Sequence, residues 1–118
     1  MARTSLPGEL EQVVLLALAA RTGEASGGEI YDTIVDATGR DLSIAAVYIT
    51  LARLEDKGWA VVRTTPPEPG KGGKPRKFFK LSASGGRALS EARAQHDALW
   101  KGAVSHPFVA SDTGDEGR

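Results

Sequence analysis

The stretch from Ser43 to Leu81 constrains the fold most: a helix-period segment runs through Gly58 into two short strand-period segments joined by a loop rich in Gly, Pro and basic residues. Ile44, Val47, Leu51 and Leu54 recur at the spacing of one buried helical stripe. Ser43 stands where an N-cap belongs and Gly58 where a helix ends. Beyond Gly58, residues 59–65 and 76–81 are short and rich in β-branched and aromatic side chains, as strands require. Residues 66–75 between them are too interrupted by Pro and Gly for either regular structure. The expectation is a helix followed by a hairpin with a long tip, the order of a helix and a wing.

At roughly 100° per residue, the face opposite that stripe carries Ala46, Ile49, Thr50, Arg53 and Lys57. An ordinary solvated face would be mostly charged, whereas this one mixes small, apolar and cationic groups. Such a face suits the DNA major groove. Small residues allow close approach, Ile and Thr methyls pack on thymine methyls, and Arg forms bidentate contacts with guanine. A plain surface face with one stray Ile would look the same on these residues alone.

Charge is sorted along the chain. The 15 Lys and Arg balance 15 Asp and Glu, yet residues 57–80 hold seven cations against Glu68 alone, a net of +6. Residues 1–56 carry a net of −5. A basic hairpin beside a helix of suitable face fits phosphate contacts.

The other segments complete a small, mainly helical domain. Residues 9–21 contain eight consecutive apolar residues, Val13 to Ala20, so that helix is expected to be buried on more than one side, with Val14 and Leu18 as candidates for a subunit contact. The run falls short of the roughly 20 apolar residues a bilayer span needs, so no membrane anchor is expected. Ser26 to Glu29 has the Ser-x-x-Glu pattern of a capping box, and Ile30, Tyr31, Ile34 and Val35 form a core side that Thr38 and Gly39 close. With the 43–57 segment this makes a helix, a short connection and a second helix. Glu29 reads as a cap and not as a catalytic acid. After Leu81, with Ser82 and Ser84 as caps, Ala88, Leu89, Ala92, His96, Leu99, Trp100 and Ala103 make one stripe. That helix would expose an apolar ridge if it projected alone, and pairing with a second copy covers it. The dimer interface is therefore assigned to Val14, Leu18, Leu89, Ala92, His96, Leu99 and Trp100.

The motifs Ala45-Ala46-Val47-Tyr48-Ile49-Thr50-Leu51-Ala52-Arg53-Leu54-Glu55-Asp56-Lys57-Gly58 and Gly73-Lys74-Pro75-Arg76-Lys77-Phe78-Phe79-Lys80-Leu81-Ser82, followed by Gly85 and Ala88-Leu89, resemble the PadR family of winged-helix transcriptional regulators. The similarity runs from about Leu6 to about Ala103. It implies a winged helix-turn-helix domain over residues 6–81, a C-terminal dimerisation helix over 82–103, and binding as a homodimer to an inverted-repeat operator in double-stranded DNA, usually as a repressor. It places Tyr48 at an aromatic position associated with backbone contact and residues 74–77 on the basic wing. Many members have Gly-Thr at the start of the motif and Pro after the Tyr, where this chain has Ala45-Ala46 and Ile49, so an operator sequence cannot be borrowed from relatives. In some members an aromatic on the last helix lines a pocket between subunits for a flat hydrophobic effector. Trp100 is the equivalent candidate, with plain interface packing as the alternative.

The expected DNA contacts are thus Ser43, Ala46, Tyr48, Ile49, Thr50, Arg53, Lys71, Lys74, Arg76 and Lys77, with Ile49, Thr50 and Arg53 reading bases. A winged-helix docking module for another protein is the rival, since function does not follow from fold. A small-molecule sensor with a secondary DNA role is a third reading. An enzyme finds no support. The 118 residues include no Cys, and neither His96 nor His106 has a carboxylate at metal spacing on its face. Gly70 to Gly73 joins two strands, where a phosphate-cradling loop would lead into a helix. No metal or cofactor is expected. Met1 to Gly8 has no secretory pattern, which points to the cytoplasm, and residues 104–118 lack periodicity and read as a disordered tail.

Overall fold

The computed structural model describes residues 6–67 and 73–110. Four helices and three short strands follow in the order α1 (Glu9–Ala19), β1 (Ala25–Ser26), α2 (Gly27–Thr38), α3 (Ile44–Asp56), β2 (Ala60–Thr65), β3 (Arg76–Leu81) and α4 (Ala83–Ala103). The sheet is antiparallel with strand order β1-β3-β2. This is a winged helix with an added C-terminal helix, as the residues led one to expect.

Local signals set the element ends. The Ser26 hydroxyl accepts the Glu29 N–H at 3.2 Å while the Glu29 carboxylate accepts the Ser26 N–H at 2.9 Å, a closed capping box. Ser43 accepts the Ala46 N–H at 3.0 Å and Ser82 the Gly85 N–H at 3.0 Å. Gly39 closes α2 and Gly58 follows α3, both with left-handed backbone. The carbonyl of Gly58 accepts the hydroxyls of both Ser82 (2.7 Å) and Ser84 (2.9 Å), which ties the start of α4 to the end of α3.

The third strand, β1, departs from the two-stranded hairpin expected. It pairs Ala25 with Phe79 and Ser26 with Phe78. Two residues carry no periodicity, so only the pairing reveals them.

The core is built where α1, α2 and α3 meet the sheet. Leu15, Ile30, Leu51, Leu54, Val14 and Val47 are fully buried, joined by Trp59 and Phe79. Each such side chain contributes about 1.5–3 kcal/mol on leaving water. Val14 and Leu18 therefore belong to the protomer's own core and are not available to a second subunit, contrary to their assignment above. The large apolar residue that α1 leaves outside is Leu16, 57% exposed. Ala92 is likewise buried within the protomer, and Leu89 is half-buried. The ridge of α4 that remains open is His96, Leu99 (76% exposed) and Trp100 (40% exposed). Residues 104–110 continue past α4 as hydrogen-bonded turns, with His106 N–H on the Ala103 carbonyl and Val109 N–H on the His106 carbonyl, both at 3.0 Å. The rest of the segment expected to be a disordered tail, residues 111–118, lies outside the described residues. Among the described residues no helix is long and apolar enough to cross a membrane.

One buried carboxylate holds α1 to the end of α3. Glu11 accepts the Gly8 N–H at 2.8 Å and the Lys57 ammonium at 2.7 Å. Burial would push the Glu11 carboxyl upward, but these partners outweigh it and hold the carboxyl below the ordinary glutamate value of 4.5. A carboxyl depressed in the folded state adds stability above the unfolded value, and that stability is lost as pH falls through the folded one. Glu11→Gln should cost about 1–2 kcal/mol near pH 7 and should remove part of the stability loss the wild type suffers below about pH 4.5. Urea denaturation of both proteins at pH 7 and pH 3.5 checks both statements, and equal losses on acidification would count against the assignment.

Candidate nucleic-acid interface

The geometry of α3 decides what it offers a ligand. Its buried stripe is Val47, Thr50, Leu51 and Leu54. Thr50 was expected to read bases. It is instead 2% exposed, because its hydroxyl donates to the Ala46 carbonyl at 2.8 Å and so satisfies itself within the helix while its methyl packs inward. Ile44, expected in the stripe, is exposed in the first turn. The exposed face is consequently rotated from the one inferred by spacing. It is centred on Ala45, Ile49 (57% exposed) and Ala52, with Tyr48 on one flank and Arg53 on the other. Ala45 and Ala52 were missed as parts of this surface. Small residues in an exposed helix face were the available signal, masked by the mistaken choice of Ile44 over Thr50 for the core.

Ser43 is exposed, but its hydroxyl is engaged as the cap of α3. Ala46 is half-buried, with its carbonyl holding Thr50. Lys57, placed on the same face by spacing, is turned to Glu11 and lies 5.0 Å from the centre of the Trp59 ring.

Tyr48 is positioned by a glycine. Gly27 opens α2, and a Cβ on it would overlap the Tyr48 ring, so the ring can lie against the start of α2 only because residue 27 has no side chain. Ser26, Gly28, Tyr48, Lys74, Pro75, Arg76 and Lys77 line one open recess, which joins α3, the N-terminal end of α2 and the wing. Backbone N–H groups at a helix start and nearby cations suit an anion. Gly27 carried no sequence signal for this role beyond its place in the capping motif.

The basic hairpin is less uniformly available than its composition suggests. The Arg63 Nε and Nη2 donate to the Glu24 carboxylate at 2.7–2.9 Å, and this hydrogen bonding, against a smaller opposing effect of burial, holds Glu24 below its ordinary range. Lys57 is taken by Glu11. Among the described residues, Arg53, Lys74, Arg76, Lys77 and Lys80 are exposed and form no ion pair. Lys71 lies outside the described residues. The structure thus brings Tyr48, Lys74, Arg76 and Lys77 together and sets Ile49 and Arg53 on the adjoining face of α3, while it withdraws Thr50. A surface of this kind can hold phosphates along one edge and present an apolar and cationic helix face to a groove.

A family model described as the transcriptional regulator PadR-like family matches residues 15–91. No curated protein sequence matches the chain significantly. Among solved structures, the chain is similar to a PadR family transcriptional regulator from Eggerthella lenta, at 27% identity over 80% of this chain and 81% of the other, with a TM-score of 0.63. A Streptococcus transcriptional regulator is 26% identical over 80% and 87% of the two chains, with a TM-score of 0.61. A PadR family transcription regulator from Clostridium difficile shares the fold at 22% identity, over 82% and 95%, with a TM-score of 0.61. The matched segment contains α2, α3, the sheet and every residue of the recess, and the chain belongs to the PadR-like family of transcriptional regulators, which are DNA-binding proteins and not enzymes.

Proposed function

We propose that the protein acts as a homodimeric repressor that binds an inverted-repeat operator, with α3 in the major groove and the wing along the adjoining backbone. The observation that carries this reading is the recess in which Tyr48, the start of α2 and Lys74, Arg76 and Lys77 face one another beside the open face of α3. Ile49 and Arg53 read base edges, Ala45 and Ala52 let the helix approach closely, and Tyr48, Lys74, Arg76 and Lys77 hold phosphates. Two copies paired through Leu16, Leu99 and Trp100 would present their reading helices to half-sites about one helical turn apart. The same interface offers Trp100 to a flat hydrophobic effector, whose binding would release the operator.

The reading is tested by fluorescence anisotropy on DNA from upstream of the gene and on a shuffled control. Arg53→Ala should cost about 1–3 kcal/mol on the operator and relax specificity, whereas Lys74→Ala should weaken all sequences alike and lower the salt slope by about one. Equal losses on both DNAs for Arg53→Ala would remove it as a base reader. No binding to either DNA would move the docking-module reading to the front.

Gly27→Ala should leave stability nearly unchanged, since residue 27 stands at the first position of α2 and the exposed Tyr48 side chain can swing aside, yet it should weaken DNA binding to the level of Tyr48→Ala. Thermal melts beside the same titrations check this, and full affinity in the variant would show that the ring position is unimportant. For the dimer, Leu99→Lys should shift the protein to monomers in sedimentation equilibrium and abolish tight operator binding. A dimer that survives this change would place the interface elsewhere.

A further inference from the structure

The solvent face of the sheet sets one aromatic ring beside two guanidinium groups. Phe78 pairs in register with Arg63 of β2, and Arg76 precedes it by two residues on the same face of β3. The Cζ atoms of Arg63 and Arg76 lie 5.1 and 5.2 Å from the ring centre, both within reach of a cation–π attraction. The two cations differ in what else they touch. Arg63 is bound by Glu24 through both Nε and Nη2, so its charge is compensated and its plane is fixed. Arg76 forms no ion pair among the described residues, with only the more distant Glu29 carboxylate of α2 within its electrostatic reach, and it borders both the recess with Arg63 and Phe78 and the recess with Tyr48 and Gly28.

We propose that Glu24, Arg63 and Phe78 form a positioning unit for Arg76, which holds its guanidinium at the edge of the Tyr48 recess before any DNA arrives. The inference rests on the DNA-binding reading above and assigns roles to residues that act through Arg76 without touching nucleic acid. A free arginine loses many rotamers when it is immobilised on a phosphate, and that loss weakens binding. A guanidinium already stacked on a ring has less to lose. Glu24 completes the unit, because without it the two cations that share one ring would repel each other more strongly. By composition Arg63 is one more positive charge on the wing, whereas in the fold it is a fixed neighbour of Phe78.

The test uses Phe78→Leu, which keeps an apolar side chain and the net charge, with a random-sequence duplex as the probe because phosphate contacts do not depend on sequence. Affinity should fall about two- to tenfold, while the slope of log affinity against log salt stays as in the wild type because Arg76 still reaches its phosphate. Arg76→Ala should lower both. Phe78→Leu should cause no further loss in the Arg76→Ala background, and Phe78→Trp should restore affinity, since Trp is the strongest cation–π partner. An equal loss in the Arg76→Ala background would make Phe78 a mere support of the wing and overturn the proposal. Nitrogen-15 relaxation of the Arg76 Nε–Hε group in the free protein separates this outcome from failure of the DNA reading. An ordered group in the wild type that becomes averaged in Phe78→Leu is expected whether or not DNA binds, and a group already averaged in the wild type would overturn the proposal.

Discussion

Burial of one face of α3 is the constraint on which the rest of the structure depends. Val47, Leu51 and Leu54 are removed from water against α1, α2 and the sheet, and Thr50 joins them by bonding back to the Ala46 carbonyl. A helix buries one stripe at a time, so this choice turns Ala45, Ile49 and Ala52 outward and sends Tyr48 and Arg53 to opposite flanks. The far end of α3 is then held by Lys57, which reaches the buried Glu11 of α1. Removing Lys57 is costlier than the pair is stabilising, because the Glu11 charge would stand buried without its partner. The exposed face is therefore presented by a helix fixed along its core side and at its C-terminal end.

The basic hairpin divides its charge between architecture and display. Lys57 and Arg63 are consumed by carboxylates of the N-terminal half, Glu11 and Glu24, so part of the segment's excess balances part of the acidic excess before it. Lys74, Arg76 and Lys77 remain on the side shared with Tyr48 and the start of α2. The charge of a segment read from sequence thus overstates the field at the surface, and the specific cations left over indicate its direction. Gly27 and Phe78 show how uncharged groups take part, one by leaving room for a ring and the other by lending a ring to a cation.

Much of the fold was legible because its signals are local. The caps at Ser26, Ser43 and Ser82 and the glycines after α2 and α3 act over three or four residues, and each stands in the structure where the pattern put it. The strands β2 and β3 were equally clear from composition. What failed were decisions between similar neighbours. Ile44 and Thr50 compete for the core by residue type, and hydrophobicity alone favours Ile44, yet it sits exposed in the first turn while Thr50 hides its hydroxyl in its own helix. In the apolar run of α1 no residue differs enough from the next to say that Val14 and Leu18 face inward and Leu16 outward. The strand β1 was invisible for another reason, since two residues acquire strand character only from β3 beside them.

The sequence by itself determined the order of the four helices and the hairpin, most of their ends, the sorting of charge and the resemblance that led to the family, because capping, turn chemistry and periodicity all operate between residues a few positions apart. Tertiary structure alone decided which side of each apolar helix faces the core, which cations are spent on carboxylates and which aromatic ring meets which guanidinium. Those outcomes join residues far apart in the chain, 46 positions for Glu11 and Lys57 and 39 for Glu24 and Arg63. No local pattern encodes such a meeting. It follows only when burial of the helices and pairing of the strands have brought the distant side chains within reach.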